Sequence, residues 1–396
     1  MLVPLPAVID PHVHFRTPGH EYKEDWRSGA RAAFRGGVST VFDMPNTSPP
    51  CVTCARLEEK KKQIEAQLDL PLRYGLYLGA DRDQLSEIER VSNHAVGIKV
   101  FMASSTGTLL LDDEVALDRV FCLAAEHHLL VAVHAEDELT LIAHQRESCD
   151  PADHSRMRPN VAAAIAVERA ITKAKKYGTR LYILHMSTKE ELSLVEQAKR
   201  EGVDVACEVT PHHLFLTTDD YARFGTRVQM NPPLRSRADC EALWEGVRRG
   251  LIDTIGTDHA PHTLEEKDLP FGKAPSGVPG VETVLPLLLD AVNKGKLSLE
   301  RVIELTHTNV ARLFCLGHND DTVWVDMNEE WRVGDFQSKC GWSPFEGMVL
   351  KGRPKYLKAQ GRFFNLQRVE EIPQSEVLAM ELPPYISPKG SLVHAS

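Results

Sequence analysis

An α/β fold, specifically a (β/α)8 TIM barrel carrying a small β appendage, is what this 396-residue sequence predicts. Three observations lead there. Short apolar runs alternate with amphipathic stretches of helical period from about residue 4 to residue 316. Histidines and a carboxylate recur where those runs end. The two densest clusters, His12-Val13-His14 and Gly256-Thr257-Asp258-His259-Ala260-Pro261-His262, stand near the two ends of that region. A closed barrel makes its first and last strands neighbours, which would bring both clusters to one place.

The elements follow in order. Runs at residues 4–9, 38–42, 72–78, 97–101, 129–133, 180–184, 203–209 and 251–255 are short, rich in Val, Ile and Leu, and bounded by turn residues. They read as eight buried parallel strands. Between them, residues 55–67, 113–126, 189–200 and 237–248 repeat apolar positions every three to four residues, the pattern of helices with one face on a core. Helical segments after Gly280 complete the barrel. An open doubly wound sheet is the other arrangement, disfavoured because no Gly-rich phosphate loop follows the first run. Past Leu316 charged and aromatic residues mix with strand-like pieces at 322–325, 348–350, 355–358 and 362–364, and a Pro- and Glu-rich tail begins near Val369. The expected division is a barrel over 5–316 and an appendage with its tail over 317–396, joined by residues 1–4.

Composition narrows the function classes. With 42% hydrophobic and 26% charged residues the chain is of globular type. A formal charge of −10 argues against nucleic acid or an anionic membrane as partner. An anionic substrate would then need a local cationic anchor. No run reaches the roughly 18 apolar residues of a membrane span, and the amino terminus lacks the basic and apolar regions of a signal peptide. A cytoplasmic location is expected. Eight cysteines, mostly beside apolar residues, read as reduced core thiols, and Cys51-x-x-Cys54 has no second pair to complete a zinc knuckle.

Barrel chemistry sits at the carboxyl ends of the strands. There the sequence places His12 and His14, Lys99, His134, His185 and Asp258. Residues i and i+2 of a strand point to one side, so both imidazoles of the first pair can reach one ion. Each residue alone has a plain reading as a capping or rim hydrogen-bonder. Lys99 is the odd one, since an unpaired ammonium in an apolar strand is costly. Either it reaches a carboxylate or it has been converted to an anion by carbon dioxide. Six such residues at strand ends point jointly to a divalent metal, an activated water and a base. Arg16 lies just beyond the first pair, and its planar fork suits a carboxylate. His127-His128 falls at a helix end on the wrong face, and His212-His213 follows the seventh strand as a candidate support for the site.

The strings His12-Val-His14-Phe-Arg16, Met44-Pro45-Asn46-Thr47, Asn231-Pro232-Pro233-Leu234-Arg235, Asp258-His-Ala-Pro-His262 and Gly277-Val-Pro-Gly-Val-Glu-Thr283 resemble the amidohydrolase superfamily, and within it the dihydroorotases. The resemblance covers about residues 5–315, and the ends of the chain are similar to the dihydroorotase domain of the animal multienzyme of pyrimidine synthesis. It implies a metal-dependent hydrolase with two Zn2+ bridged by carbamylated Lys99. One ion would take His12, His14 and Asp258, the other His134 and His185. It implies Asp258 as the catalytic proton carrier and Arg16, Asn46, Asn231, His262, Pro279 and Gly280 as substrate-binding residues. The implied reaction is the reversible, zinc-dependent cyclisation of N-carbamoyl-L-aspartate to L-dihydroorotate. The small hydroxyl residues of the loop after Lys99 read either as a cover for the substrate, through Ser105 or Thr106, or as a plain connector. A homodimer and an association with aspartate transcarbamoylase are implied as well. The animal domain has a cysteine before the strand-six histidine, linked to a third zinc. Leu184 stands there, so no third zinc is expected, although Glu208 is available. An allantoinase or hydantoinase activity and a silent scaffold for aspartate transcarbamoylase are the competing readings.

Overall fold

The computed structural model describes residues 2–91, 94–105, 107, 109–377, 380, 382, 383 and 385. The chain opens with β1 (Leu2–Pro6), turns at Ala7 and enters β2 (Val8–Val13). There follow β3 (Val38–Asp43), β4 (Arg73–Gly79), β5 (Gly97–Phe101), β6 (Leu130–His134), β7 (Arg180–Ile183), β8 (Val205–Val209) and β9 (Thr254–Ile255). Strands β2 to β9 pair in parallel, in chain order, around a barrel. The ring is completed beyond β9, where Val13 bridges His259 and the His14 amide donates to the His259 carbonyl at 2.8 Å.

Alternation along the strands sorts their side chains into two cores. Val8, Val41, Leu76, Val131 and Leu181 face the surrounding helices. Ile9, Phe42, Tyr77, Ala132 and Tyr182 fill the barrel with Val310 and Phe314. The Phe314 ring meets Phe42 edge-on at 4.6 Å. The barrel is therefore a packed solid, and its chemistry is confined to the rim. The helices Cys54–Gln67, Glu114–Glu126, Lys189–Arg200 and Arg237–Arg248 start at side-chain caps: Thr53, Asp113, Thr188 in a capping box with Glu191, and Ser236. Among the described residues no helix is long and apolar enough to cross a membrane.

Two expected strands differ by the most. The run at 4–9 is split between sheets, because the hydrogen-bond partner changes at one residue: the Ala7 amide donates to Asp321 and the Val8 amide to Gly37. The run at 251–255 shortens to two residues, because the Leu251 and Ile252 amides are taken by the Gly246 carbonyl at the end of the preceding helix.

The second sheet is antiparallel, in the order β1, β10 (Thr322–Arg332), β11 (Val349–Ala359), β12 (Arg362–Asn365) and β13 (Glu370–Glu371). The pieces expected at 348–350 and 355–358 are one strand, β11. Gly352 and Pro354 interrupt its apolar pattern, but Gly352 sits where an added Cβ would lie 2.6 Å from Leu289 Cβ, so the strand can pass closely over the helix Val284–Asn293. Val323, Val325, Leu357, Ala359 and Phe364 join the same apolar cluster as Val8, Ala30 and Leu285. The sheet and the barrel share one core.

Candidate active site

A cleft at the carboxyl ends of the strands is lined by His12, His14, Arg16, Asn46, Lys99, Ser105, His134, His185, Asn231 and Asp258, with Ser276 and Gly277 on its edge. His12 is the penultimate residue of β2 and His14 follows it; Lys99 lies in β5, and His134 ends β6. His185 and Asp258 come just after β7 and β9. Three cleft residues hold left-handed backbone, Arg16 at φ 59°, His185 at 37° and Asp258 at 47°. Non-glycine residues adopt that region at a cost, and such residues gather where function demands a particular side-chain direction.

Two groups of donors converge. Asp258 Oδ1 lies 3.3 Å from His12 Nε2 and 3.0 Å from His14 Nε2. Across the cleft, His134 Nδ1 and His185 Nε2 face each other at 3.1 Å. Nitrogens about 2.05 Å from a shared tetrahedral zinc stand about 3.3 Å apart, so both spacings suit a common ion. The far ring nitrogens explain which lone pairs are free. His12 Nδ1 donates to Glu208 Oε1 at 2.8 Å, His14 Nδ1 to Asn46 Oδ1 at 2.7 Å and His134 Nε2 to Glu136 Oε2 at 3.0 Å. A ring nitrogen that donates leaves its partner nitrogen unprotonated and able to bind metal. Burial draws His14 down to about 4 against the pull of Asp258; it lowers His134 against Glu136, and His185 with help from His134 and Lys99, which favours the neutral form of these three rings. The donor set fits a divalent metal.

Lys99 is 1% exposed, and among the described residues no carboxylate pairs with it. Burial pushes its ammonium down to about 7, against the pull of Asp258 and Glu208. Asp258 is held well below the usual carboxylate range despite burial, by His12, His14 and His185. Glu208 accepts from His12, from the Tyr182 hydroxyl at 2.8 Å and from the His185 amide at 3.1 Å. Gly256 makes room for it, since a Cβ there would fall 2.1 Å from Glu208 Oε2. Its oxygens are thus committed to holding His12 and the turn at His185.

On the other side of the cleft Arg16 Nε donates to the Pro261 carbonyl at 3.1 Å, and its Nη2 lies 3.2 Å from His262 Nε2. Burial lowers the guanidinium to about 10, so it remains charged near neutrality. Asn231 accepts from His154 Nε2 at 2.9 Å. Pro279 and Gly280 do not reach the cleft. They line a separate cavity with Phe336, Ser338 and Trp342, and the Gly280 amide donates to His259 Nδ1 at 3.1 Å. Ser276 and Gly277 occupy the edge instead. Ser105 lines the cleft, while Thr106 lies outside the described residues. His212 and His213 are buried near the site, with His213 bonded to Thr210 and to the Pro232 carbonyl.

Sequence reasoning assigned no role to Glu136 or Arg158. Arg158 Nε pairs with Glu136 at 3.1 and 3.2 Å and its Nη2 donates to the Ser104 carbonyl. Against the upward push of burial, Arg158 and His134 keep Glu136 well below its ordinary range. The alternation His134-Ala135-Glu136 could have shown the carboxylate on the histidine's side of the chain.

The chain matches the Amidohydrolase family model over residues 3–320. It is 44% identical to a dihydroorotase of Halobacterium salinarum, across 87% of this chain and 82% of that protein. It is 37% identical to the multifunctional protein CAD of Squalus acanthias, across 91% of this chain and 15% of that much longer protein. Among solved structures it superposes on the L-hydantoinase (dihydropyrimidinase) of Arthrobacter aurescens with a TM-score of 0.89 and 33% identity, covering 94% of this chain and 87% of that one.

Proposed function

Since the chain belongs to the amidohydrolase family, we propose that its cleft is that of a dihydroorotase, interconverting N-carbamoyl-L-aspartate and L-dihydroorotate. The observation that carries this reading is Arg16, a buried guanidinium at the edge of a metal-type donor set in a chain of net charge −10. A cyclic amide bearing a carboxylate needs such a group, and one without a carboxylate does not.

His12, His14 and Asp258 would hold one zinc ion and His134 and His185 a second, with Lys99 as a carbamate between them. Bound there, two divalent ions supply Lewis acidity, acidifying water and polarising an amide carbonyl. A Lys99 ammonium would repel such ions, whereas its carbamate is an anion. Burial that draws the amine to about 7 favours the neutral form able to add carbon dioxide. Asp258 accepts the proton of the attacking water and delivers it to the ring nitrogen as the amide bond breaks. In cyclisation the proton travels the other way. The dianion of N-carbamoyl-L-aspartate takes up one proton and releases water to give the dihydroorotate monoanion, so acid favours the ring. Arg16 and His262 receive the substrate carboxylate, with Asn46 and Asn231 on the flanks and Ser105 over the opening. A homodimer, a cytoplasmic location and association with aspartate transcarbamoylase belong to the same proposal. The likeness to part of a multifunctional protein supports the last of these.

The test is metal analysis of the purified chain with hydrolysis assays on dihydroorotate, hydantoin and allantoin. Two zinc ions per chain and a clear preference for dihydroorotate are expected. Preference for a ring without a carboxylate would assign the chain to the other cyclic-amide hydrolases.

A further inference from the structure

Lys23 has no part in the chemistry above, yet it is 8% exposed and its ammonium faces the active-site wall. Its Nζ lies 3.0 Å from His262 Nδ1 and 2.9 Å from Glu266 Oε1. An ammonium has donors only, so His262 Nδ1 must accept from it, and the proton of the neutral ring sits on Nε2. Glu266 Oε2 is 3.6 Å from the same Nδ1, beyond hydrogen-bond range, and accepts instead from the Thr263 amide at 3.2 Å. Burial and the cations Arg16, Lys23 and Lys267 hold the imidazole far below its ordinary pKa, so the ring does not carry both protons. His262 Nε2 then donates to the Ser276 carbonyl at 3.1 Å and stands 3.2 Å from Arg16 Nη2. The Arg16 and His262 N–H donors thus lie side by side, His262 directly behind Ser276, which lines the cleft together with Arg16.

We infer that Lys23 is a positioning residue that fixes His262 as its Nε2–H tautomer, so that Arg16 and His262 present paired donors to one substrate carboxylate. The inference rests on the reading of Arg16 as the carboxylate anchor. Without Lys23, Nδ1 is released to take the proton and donate to Glu266. Nε2 then becomes an acceptor for Arg16 Nη2, which turns a donor away from the substrate and occupies a second one.

The experiment is 15N NMR of histidine-labelled, zinc-loaded full chain, with the His262 signals assigned by their loss in His262→Asn. Wild type should show protonated Nε2, and Lys23→Met should shift His262 toward protonated Nδ1. In the same variant KM for dihydroorotate should rise about tenfold while kcat stays within about threefold. Lys23→Arg, again a donor-only side chain, should keep the wild-type tautomer. Persistence of the Nε2–H form in Lys23→Met overturns the inference. Should that variant not fold, an Nδ1–H tautomer in wild type overturns it and an Nε2–H tautomer supports it. A tautomer that shifts in Lys23→Met while neither this variant nor Arg16→Ala raises KM would leave the role of Lys23 standing and remove the carboxylate reading.

Discussion

Asp258 combines a left-handed backbone with two histidine ring nitrogens within 3.3 Å of its carboxylate. Asparagine tolerates the left-handed region and matches the shape, so Asp258→Asn removes the proposed proton carrier with little strain. Hydrolysis of dihydroorotate should fall by about a thousandfold or more, as expected for loss of a positioned acid–base group. Near-normal turnover with metal retained would show that another group moves the proton. Residue types and strand ends made the six metal-site candidates legible in the chain. Their supports were not. Glu208 holds His12, Arg158 holds Glu136, and Lys23 meets His262, each pair joined only by the fold. Pro279 and Gly280 misled for a related reason: their segment passes behind His259, and only its earlier residues, Ser276 and Gly277, reach the cleft.

Helices were the easiest elements to read, because period and cap agree at Thr53, Asp113, Thr188 and Ser236. Strand limits were harder, since an apolar run says nothing about which sheet takes its hydrogen bonds; the change of partner at Ala7 is invisible in composition. One loop depends on a buried acid. Glu282 accepts from the Gln337 amide at 2.9 Å and the Ser338 amide at 2.7 Å, holding the segment that follows β10 against the barrel. Burial raises its carboxyl to about 7 from 4.5, offset in part by those amides and by Arg35. A raised acid favours the folded state fully below its unfolded pKa, and the contribution is lost as pH rises through the folded value. Stability of wild type minus that of Glu282→Gln should therefore decline between about pH 4.5 and 7, by about 3 kcal/mol for a shift of this size. Denaturant unfolding of both proteins at a series of pH values checks it. A difference that stays flat would mean the carboxylate is not stressed by burial.

At the scale of the whole molecule, a chain of net charge −10 gathers three buried cations about His262: Arg16, which lines the cleft, with Lys23 and Lys267. That group is a local exception to the charge of the chain, as an anionic substrate requires. The second sheet, built from residues 2–6 and 322–371, adds its apolar face to the barrel's core and is a structural member of the unit that carries the cleft. The barrel seam has the further consequence. It is completed by Val13, His14 and His259, and two donors of the first metal group, His14 and Asp258, arrive from opposite sides of it. Nearly all of the barrel must be threaded before those residues meet, which makes this a highly non-local contact and a late one to form. Catalytic competence therefore works as a certificate of completed folding: a chain stalled with seven strands in place would have its helices and no catalyst. In refolding followed by circular dichroism and by a zinc indicator together, metal uptake and dihydroorotate turnover should appear with the slowest phase, well after most helical signal. Tight zinc uptake in step with the earliest helical signal would mean that the site assembles before the ring closes.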